Sequence, residues 1–166
     1  MTYFDRPGVG RSICASATPL LLLAVLLAAC SGDSGGGAAA GGKLRVVATT
    51  VQITALTKEV AGDKIQLTGL VPAGADPHSF EPKPSDLAAI ENADLILRHG
   101  MGLDEWLDDT LRAGNDATVL TMTGGIPAAE GEGLADPHVW HDPDKASIMV
   151  DNINRALDAA DPDNRP

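Results

Sequence analysis

Residues 44–62 read LRVVATTVQITALTKEVAG, and this stretch decides the fold. Its first part, residues 44–48, is rich in β-branched side chains and predicts a buried strand. Thr50 then stands as a helix N-cap, apolar residues recur at helical spacing, and Gly62 ends the pattern. A strand that leads directly into a capped helix is the repeating unit of parallel α/β domains.

The same alternation continues toward the C-terminus. Further strands are predicted at residues 65–71, 94–97 and 118–122. Helices are predicted from apolar stripes at Leu87 and Ile90 behind a Ser85 cap; at Leu103, Trp106, Leu107 and Leu111 before Gly114; and at Met149, Ile153, Ala156, Leu157 and Ala160 behind Asp142 and Pro143. This rhythm predicts an α/β fold, a three-layer sandwich with a four-stranded, mainly parallel sheet.

Two loops of this predicted sheet have a composition that no helical or strand period explains. Residues 74–82 read GADPHSFEP and follow the second strand, whereas residues 136–143 read DPHVWHDP and follow the fourth. Ligands of parallel α/β sheets collect beyond the carboxyl ends of the strands. We therefore expect both loops at the same, ligand-binding edge of the sheet.

Each loop places a histidine, His78 or His138, directly after Asp-Pro. Proline fixes its own φ and restricts the residue before it, so the backbone that leads into each imidazole is stiff. Neutral imidazole is a common ligand of zinc and related ions. The spacing alone leaves two interpretations open: metal ligands or ordinary loop histidines. His138 and His141, three residues apart, also fit a single local chelate.

The N-terminal segment has the order of a secretory signal. Arg6 and Arg11 precede an apolar run at residues 19–29, which is shorter than the ~20 residues of a membrane-spanning helix. Residues 27–30 read LAAC and resemble the lipobox of bacterial lipoproteins, in which the cysteine, here Cys30, takes a diacylglycerol. The alternative is a plain secretory signal with an incidental cysteine.

Composition divides the chain into three parts. Residues 1–29 form the predicted lipoprotein signal peptide, residues 30–42 a Gly/Ser-rich tether, and residues 43–166 one foldable region. Cys14 lies inside the signal segment, so the mature chain would keep only Cys30 and could form no internal disulfide. The net charge of −11 argues against nucleic acid as a partner, because phosphates would repel an acidic surface.

The segments DPHSFEPKPSD (76–86) and DPHVWHDP (136–143), in this order behind a lipobox, resemble the zinc- and manganese-binding solute-binding lipoproteins of bacterial ABC transporters. The stretch between them, ADLILRHGMGLDEWLDD (93–109), is similar to that family as well. The resemblance covers residues 43–166 and implies one lobe, the N-terminal one, of a two-lobed fold. It implies capture of a divalent ion, Zn2+ or Mn2+, outside the cytoplasm by a lipid-anchored protein that delivers the ion to an ABC permease and is not an enzyme.

The same resemblance implies that His78 and His138 are metal ligands. Members of the family add a third ligand, His or Glu, and a fourth, Asp, from a second lobe, and the third ligand distinguishes zinc from manganese. This chain is therefore expected to be truncated after its first lobe, as a fragment, a degenerate copy or one partner of a two-chain site.

The resemblance and the local sequence also assign roles to neighbouring polar residues. His141 is expected to flank the site, Glu81 to accept backbone hydrogen bonds within its loop, His99 to serve in surface or hinge packing, and Asp142 to cap the last helix. Two other classes of function stay open. One is a lipoprotein adhesion or interaction module, and the other is a metal-dependent hydrolase that uses His78, His138 and Asp142.

Overall fold

The computed structural model describes residues 42–112, 114–127 and 136–164. Its regular elements, in chain order, are β1 (Arg45–Ala48), α1 (Val51–Ala61), β2 (Gln66–Gly69), α2 (Pro84–Glu91), β3 (Leu95–Arg98), α3 (Trp106–Arg112), β4 (Thr118–Thr121) and α4 (Pro143–Ala160), with single 3-10 turns at Pro77–Ser79, Val139–His141 and Pro162–Asn164. The predicted signal peptide, Cys30 and the tether as far as residue 41 lie outside the described residues.

The sheet has four strands in the order β2-β1-β3-β4, and every pairing is parallel. The predicted α/β fold with a four-stranded sheet is therefore confirmed. Strand β2 is shorter than predicted, yet the chain continues beside β1, because the N–H groups of Leu70 and Val71 donate to the carbonyls of Ala48 and Thr49 at 3.0 and 3.3 Å.

Helices cover both faces of the sheet. Alternate residues of a strand point to opposite faces, and in the two central strands they belong to different cores. Val46 and Leu97 pack with α1 and α4, whereas Val47 and Ile96 pack with α2 and α3. The predicted three-layer arrangement follows from this division of the core. Of the described helices, none combines the length and the apolar character that crossing a bilayer requires.

The predicted helix signals of α1 and α4 are confirmed. The Thr50 side chain accepts a hydrogen bond from the N–H of Ile53 at 3.4 Å, and Gly62 ends α1 with a φ of 56°. At α4, the Asp142 carboxylate accepts from the N–H of Asp144 at 3.0 Å, and Pro143 occupies the first turn. Because its start is fixed in this way, α4 holds the loop before it at the carboxyl edge of the sheet.

The predicted cap of α2 is wrong. The helix begins at Pro84, with Lys83 as its N-cap, so Ser85 already lies in the first turn. Proline is favoured at the first helical position because its φ is preset, and the Asp86 carboxylate accepts the N–H of Lys83 at 3.1 Å. Leu87, placed by the sequence on the buried stripe, is 43% exposed.

Candidate metal centre

The two Asp-Pro-His loops meet at the carboxyl edge of the sheet. His78 lies in the 3-10 turn that follows β2, and His138 lies just before the 3-10 turn that leads into α4. Their ring centroids are 6.2 Å apart and the ring planes are inclined by 56°. The structure thus brings together the two histidines that the sequence singled out, although their loops follow the two outer strands, β2 and β4.

This separation is close to what a shared ion requires. Zinc binds imidazole nitrogen at about 2.0–2.1 Å, which puts the centres of two rings on one ion about 5–6 Å apart. The observed 6.2 Å is slightly longer than this range. Both residues are exposed, the side chain of His138 to 50%, so an ion can reach them from solvent.

An aspartate two residues before each histidine shapes the backbone of its loop. Asp76 accepts the N–H of His78 at 3.0 Å, and Asp136 accepts the N–H of His138 at the same distance. Such Asx turns are a common way for aspartate to fix a tight turn. These carboxylates had no predicted role, although the repeated Asp-Pro-His pattern is the signal that indicates it.

The two aspartates differ in their second contact. Asp136 also contacts Nδ1 of the His138 ring at 2.7 Å, whereas Asp76 accepts the hydroxyl of Ser79 at 3.1 Å. An ionised carboxylate can only accept, so Nδ1 of His138 carries a proton, and in the neutral ring the lone pair lies on Nε2. Hydrogen bonds from the backbone N–H and then the ring of His138 lower the pKa of Asp136, which keeps that carboxylate ionised at neutral pH.

His99 lies beneath the second loop. Its ring is fully buried, its Nε2 lies 2.8 Å from the carbonyl oxygen of Pro137, and it meets Trp140 edge-on with centroids 5.3 Å apart. Of the expected surface or hinge packing, the surface position is wrong, because Pro137 and Trp140 cover the end of β3. Burial lowers the pKa of His99, so the ring is neutral and donates from Nε2 to the carbonyl.

Trp106 makes the corresponding contact to the first loop. Its indole Nε1 donates to the carbonyl oxygen of Pro77 at 3.2 Å, and its ring packs against Phe80 with centroids 4.9 Å apart. The tryptophan was predicted only as part of an apolar helix stripe. An indole N–H that is carried into a polar loop usually finds an acceptor, and here the acceptor is the carbonyl just before His78.

A buried carboxylate organises the turn between β3 and α3. Asp104 is fully buried and accepts the hydroxyl of Thr49 at 2.6 Å and the N–H groups of His99 and Gly100 at 2.6 and 3.0 Å. The Arg98 guanidinium lies 3.5 Å from the same carboxylate. A buried charge persists only when it is hydrogen-bonded and paired, and Asp104 meets both conditions.

Residues 46–166 match the profile of the ZnuA family, described as zinc-uptake complex component A, periplasmic. The chain belongs to the ZnuA family. The matched region contains the sheet from Val46 onward and both Asp-Pro-His loops. The resemblance inferred from those loops is confirmed.

Among the relatives of this ZnuA-family chain is the iron-binding protein YfeA of Yersinia pestis, 35% identical over 125 residues, which are 72% of this chain and 40% of YfeA. The manganese ABC transporter substrate-binding lipoprotein PsaA of Streptococcus pneumoniae is 36% identical over 135 residues, 74% of this chain and 44% of PsaA. The crystal structure of Zn(II)-bound AdcA from Streptococcus pneumoniae matches with a TM-score of 0.66 at 31% identity, over 75% of this chain and 28% of AdcA. The chain thus spans less than half the length of these relatives.

Three polar residues beside the ZnuA-family histidines have lesser roles in the geometry. His141 is exposed at the end of its 3-10 turn, with its ring 5.4 Å from that of Trp140. Asp142 caps α4, as predicted. Glu81 is exposed and, among the described residues, accepts no hydrogen bond, so its predicted role is wrong; Asp76 performs that role in the loop.

The pair supplies only part of a coordination shell. Within residues 42–112, 114–127 and 136–164, no group of three or more His, Cys, Asp or Glu side chains is arranged to hold a metal ion. Structural zinc sites use four ligands. An ion on His78 and His138 would therefore keep open positions for groups outside this pair.

Proposed function

We propose that this chain captures a divalent metal ion, zinc or manganese, outside the cytoplasm and delivers it to the permease of an ABC transporter. The observation that carries the proposal is the 6.2 Å approach of the His78 and His138 rings at the carboxyl edge of the sheet. Membership of a family described by zinc uptake supports the same assignment.

Capture rests on the two imidazoles as ligands. His138 is prepared for the ion because Asp136 holds the proton on Nδ1, which leaves Nε2 as the donor. His78 makes no such ring contact to Asp76 and can rotate to complete the pair. Two neutral ligands bind an ion weakly and reversibly, and the part of longer relatives that this chain does not span would supply the remaining ligands.

The identity of the cargo depends on those remaining ligands. The printed names of the relatives mention iron, manganese and zinc. Imidazole suits zinc and iron, whereas manganese prefers oxygen ligands. A third imidazole would favour zinc, whereas an oxygen ligand would favour manganese. The proposal therefore commits to a divalent transition metal and assigns its selectivity to groups other than His78 and His138.

We further propose that Cys30 carries the lipid that holds the protein at the outer face of the membrane. The lipobox-like residues 27–30 and the Gly/Ser-rich tether support this assignment, and PsaA is named a lipoprotein. Cys30→Ser should release the protein from the membrane fraction and abolish incorporation of labelled fatty acid. Retention of both in the variant would overturn the anchor.

Carriage of an ion, and not hydrolysis, is the activity we propose. A hydrolytic zinc site needs a water-activating base near an open position. The best carboxylate candidate, Asp142, already accepts the N–H of Asp144 and lies 3.5 Å from Lys145. The relatives PsaA and YfeA are named as a transporter component and an iron-binding protein.

Zinc titration with single histidine variants tests the proposal. His78→Ala and His138→Ala should each weaken zinc binding at least tenfold, because each removes half of the ligand pair. His141→Ala is the matched control, since it deletes an exposed imidazole from the same loop, and it should leave the isotherm nearly unchanged. Equal affinities for the wild type and both ligand variants would overturn the assignment.

A further inference from the structure

One short segment contacts both metal-binding loops at equivalent atoms. The segment is residues 99–106, which we call the brace. The imidazole of His99, at its start, donates to the carbonyl of Pro137, and the indole of Trp106, at its end, donates to the carbonyl of Pro77. In each loop the held carbonyl belongs to the proline just before the histidine.

The orientation of these two carbonyls fixes the peptide groups that lead into His78 and His138. The peptide that a proline carbonyl forms with the next residue includes the N–H of His78 or His138, and that N–H is bonded to Asp76 or Asp136 on its other side. Each peptide is therefore held at its oxygen by the brace and at its nitrogen by the loop. With φ of the proline preset, little freedom remains in the backbone that carries the ring.

The brace is itself anchored to the centre of the sheet. Asp104 fixes its start through the N–H groups of His99 and Gly100 and joins it to β1 through Thr49. Gly100 has a φ of 91°, and a Cβ there would lie 2.4 Å from a Thr121 methyl group, so the turn admits no ordinary side chain. The loops follow the outer strands β2 and β4, whereas the brace follows the inner strand β3.

We propose that His99 and Trp106 are positioning residues that set the separation of the two metal-binding imidazoles. Neither side chain is offered as a ligand. The His99 nitrogen that faces the loop donates to the Pro137 carbonyl and its Nδ1 is buried, whereas the indole nitrogen of Trp106 has no lone pair for a metal. The inference rests on the proposed role of His78 and His138, and it adds the contacts that fix the positions of their two rings relative to each other.

Copper(II) provides a test that counts imidazoles directly. Cu2+ binds imidazole more strongly than zinc does, and pulsed electron paramagnetic resonance distinguishes one bound imidazole from two. The full chain should bind substoichiometric Cu2+ through two imidazoles. Trp106→Phe keeps the aromatic ring but lacks the N–H, and it should shift the spectrum toward one imidazole and weaken binding about tenfold, as expected for loss of an outer-shell contact.

His99 offers a pair of variants that separates hydrogen bonding from packing. His99→Leu fills the site without a donor and should lose the two-imidazole signal, whereas His99→Gln restores an N–H near the Pro137 carbonyl and should recover it. Asn115→Ala is the matched control. This substitution deletes a side-chain N–H that donates to the Ile90 carbonyl at 2.7 Å. Asn115 precedes β4 and therefore lies at the amino end of the strands, away from the two loops. The variant should bind Cu2+ as the wild type does.

The outcomes separate this inference from the proposed function. If the wild type and the folded variants Trp106→Phe and His99→Leu all show two imidazoles with the same affinity, the positioning role of the brace is overturned. The proposed metal site would then remain supported. If the wild type shows one imidazole or none, the proposed site falls first. Far-ultraviolet circular dichroism establishes folding, and slow solvent exchange of the Trp106 indole N–H, without metal, checks its bond to Pro77 independently.

Discussion

Asp136 accepts hydrogen bonds from two nitrogens of His138, the backbone N–H at 3.0 Å and the ring Nδ1 at 2.7 Å. The otherwise equivalent Asp76 accepts only the backbone N–H of His78 and turns its other oxygen to Ser79. Two copies of one tripeptide thus present their imidazoles differently: one ring is held in a defined tautomer and orientation, and the other is not.

This difference predicts unequal effects of removing the two carboxylates. Asp136→Ala should weaken zinc binding about 10–100-fold, the usual effect of losing a partner that orients a ligand. Asp76→Ala should have a smaller effect because it loosens only the backbone. Competition with a chromophoric chelator measures both affinities. Asp136→Asn, which keeps an acceptor without the charge, should fall between Asp136→Ala and the wild type; equal losses for Asp76→Ala and Asp136→Ala would contradict the distinction.

The ion pair between Arg45 and Asp94 predicts a pH-dependent contribution to stability. Hydrogen bonds from the guanidinium lower the pKa of Asp94 below its value of about 3.9 in the unfolded chain. Since the folded pKa is the lower one, the contribution is present above about pH 4 and is lost as the pH falls through the folded pKa. Asp94→Asn should reduce the free energy of unfolding at pH 7, and the two proteins should converge at low pH. Urea denaturation across pH measures this gap, and a gap that stays constant below pH 4 would contradict the prediction.

Gly100 should be the least replaceable glycine of the described turns. Gly100→Ala combines a positive φ with a Cβ 2.4 Å from the Thr121 methyl group, so it should cost the native state about 2–4 kcal/mol. Gly114→Ala is the control, because its φ of 103° carries backbone strain while nothing lies within 4 Å of the added Cβ. Denaturant midpoints compare the two, and equal losses would show that the close contact relaxes freely.

Asp142→Ala tests whether this carboxylate does more than cap α4. Loss of an N-cap hydrogen bond costs about 1 kcal/mol of stability, so the melting temperature should fall modestly. Zinc affinity should remain within about twofold of the wild type, because the carboxylate is occupied by the N–H of Asp144. A loss of affinity as large as that of His138→Ala would make Asp142 a ligand and reopen the hydrolase interpretation.

The convergence of His78 and His138 could be predicted because it depends on topology. Parallel strands share one carboxyl edge, so loops that follow β2 and β4 must leave on the same side. The caps Thr50 and Asp142 could also be predicted, since they depend on contacts within a few residues. The start of α2 was predicted wrongly because two helix-start signals adjoin. The helix begins at Pro84, whose φ is preset, and not after a Ser85 cap.

The brace could not be predicted in the same way. Its contacts join residues far apart in the chain, and they exist only once β3 lies beside β1 and the second loop folds over its end. A histidine after a strand is ordinarily exposed, and nothing local indicated that Pro137 and Trp140 would bury His99. The same holds for Asp104, whose acidic side chain is typical of a surface turn until Thr49, distant in the chain, is brought to it.

Trp140 lies among three imidazoles, with ring centroids 5.1 Å from His138, 5.3 Å from His99 and 5.4 Å from His141. An indole emits according to the charge and polarity around it, so a cation arriving on His138 would alter the brightness and colour of its fluorescence. Trp140 would therefore report the arrival of an ion on His138 through its own fluorescence, without an added dye.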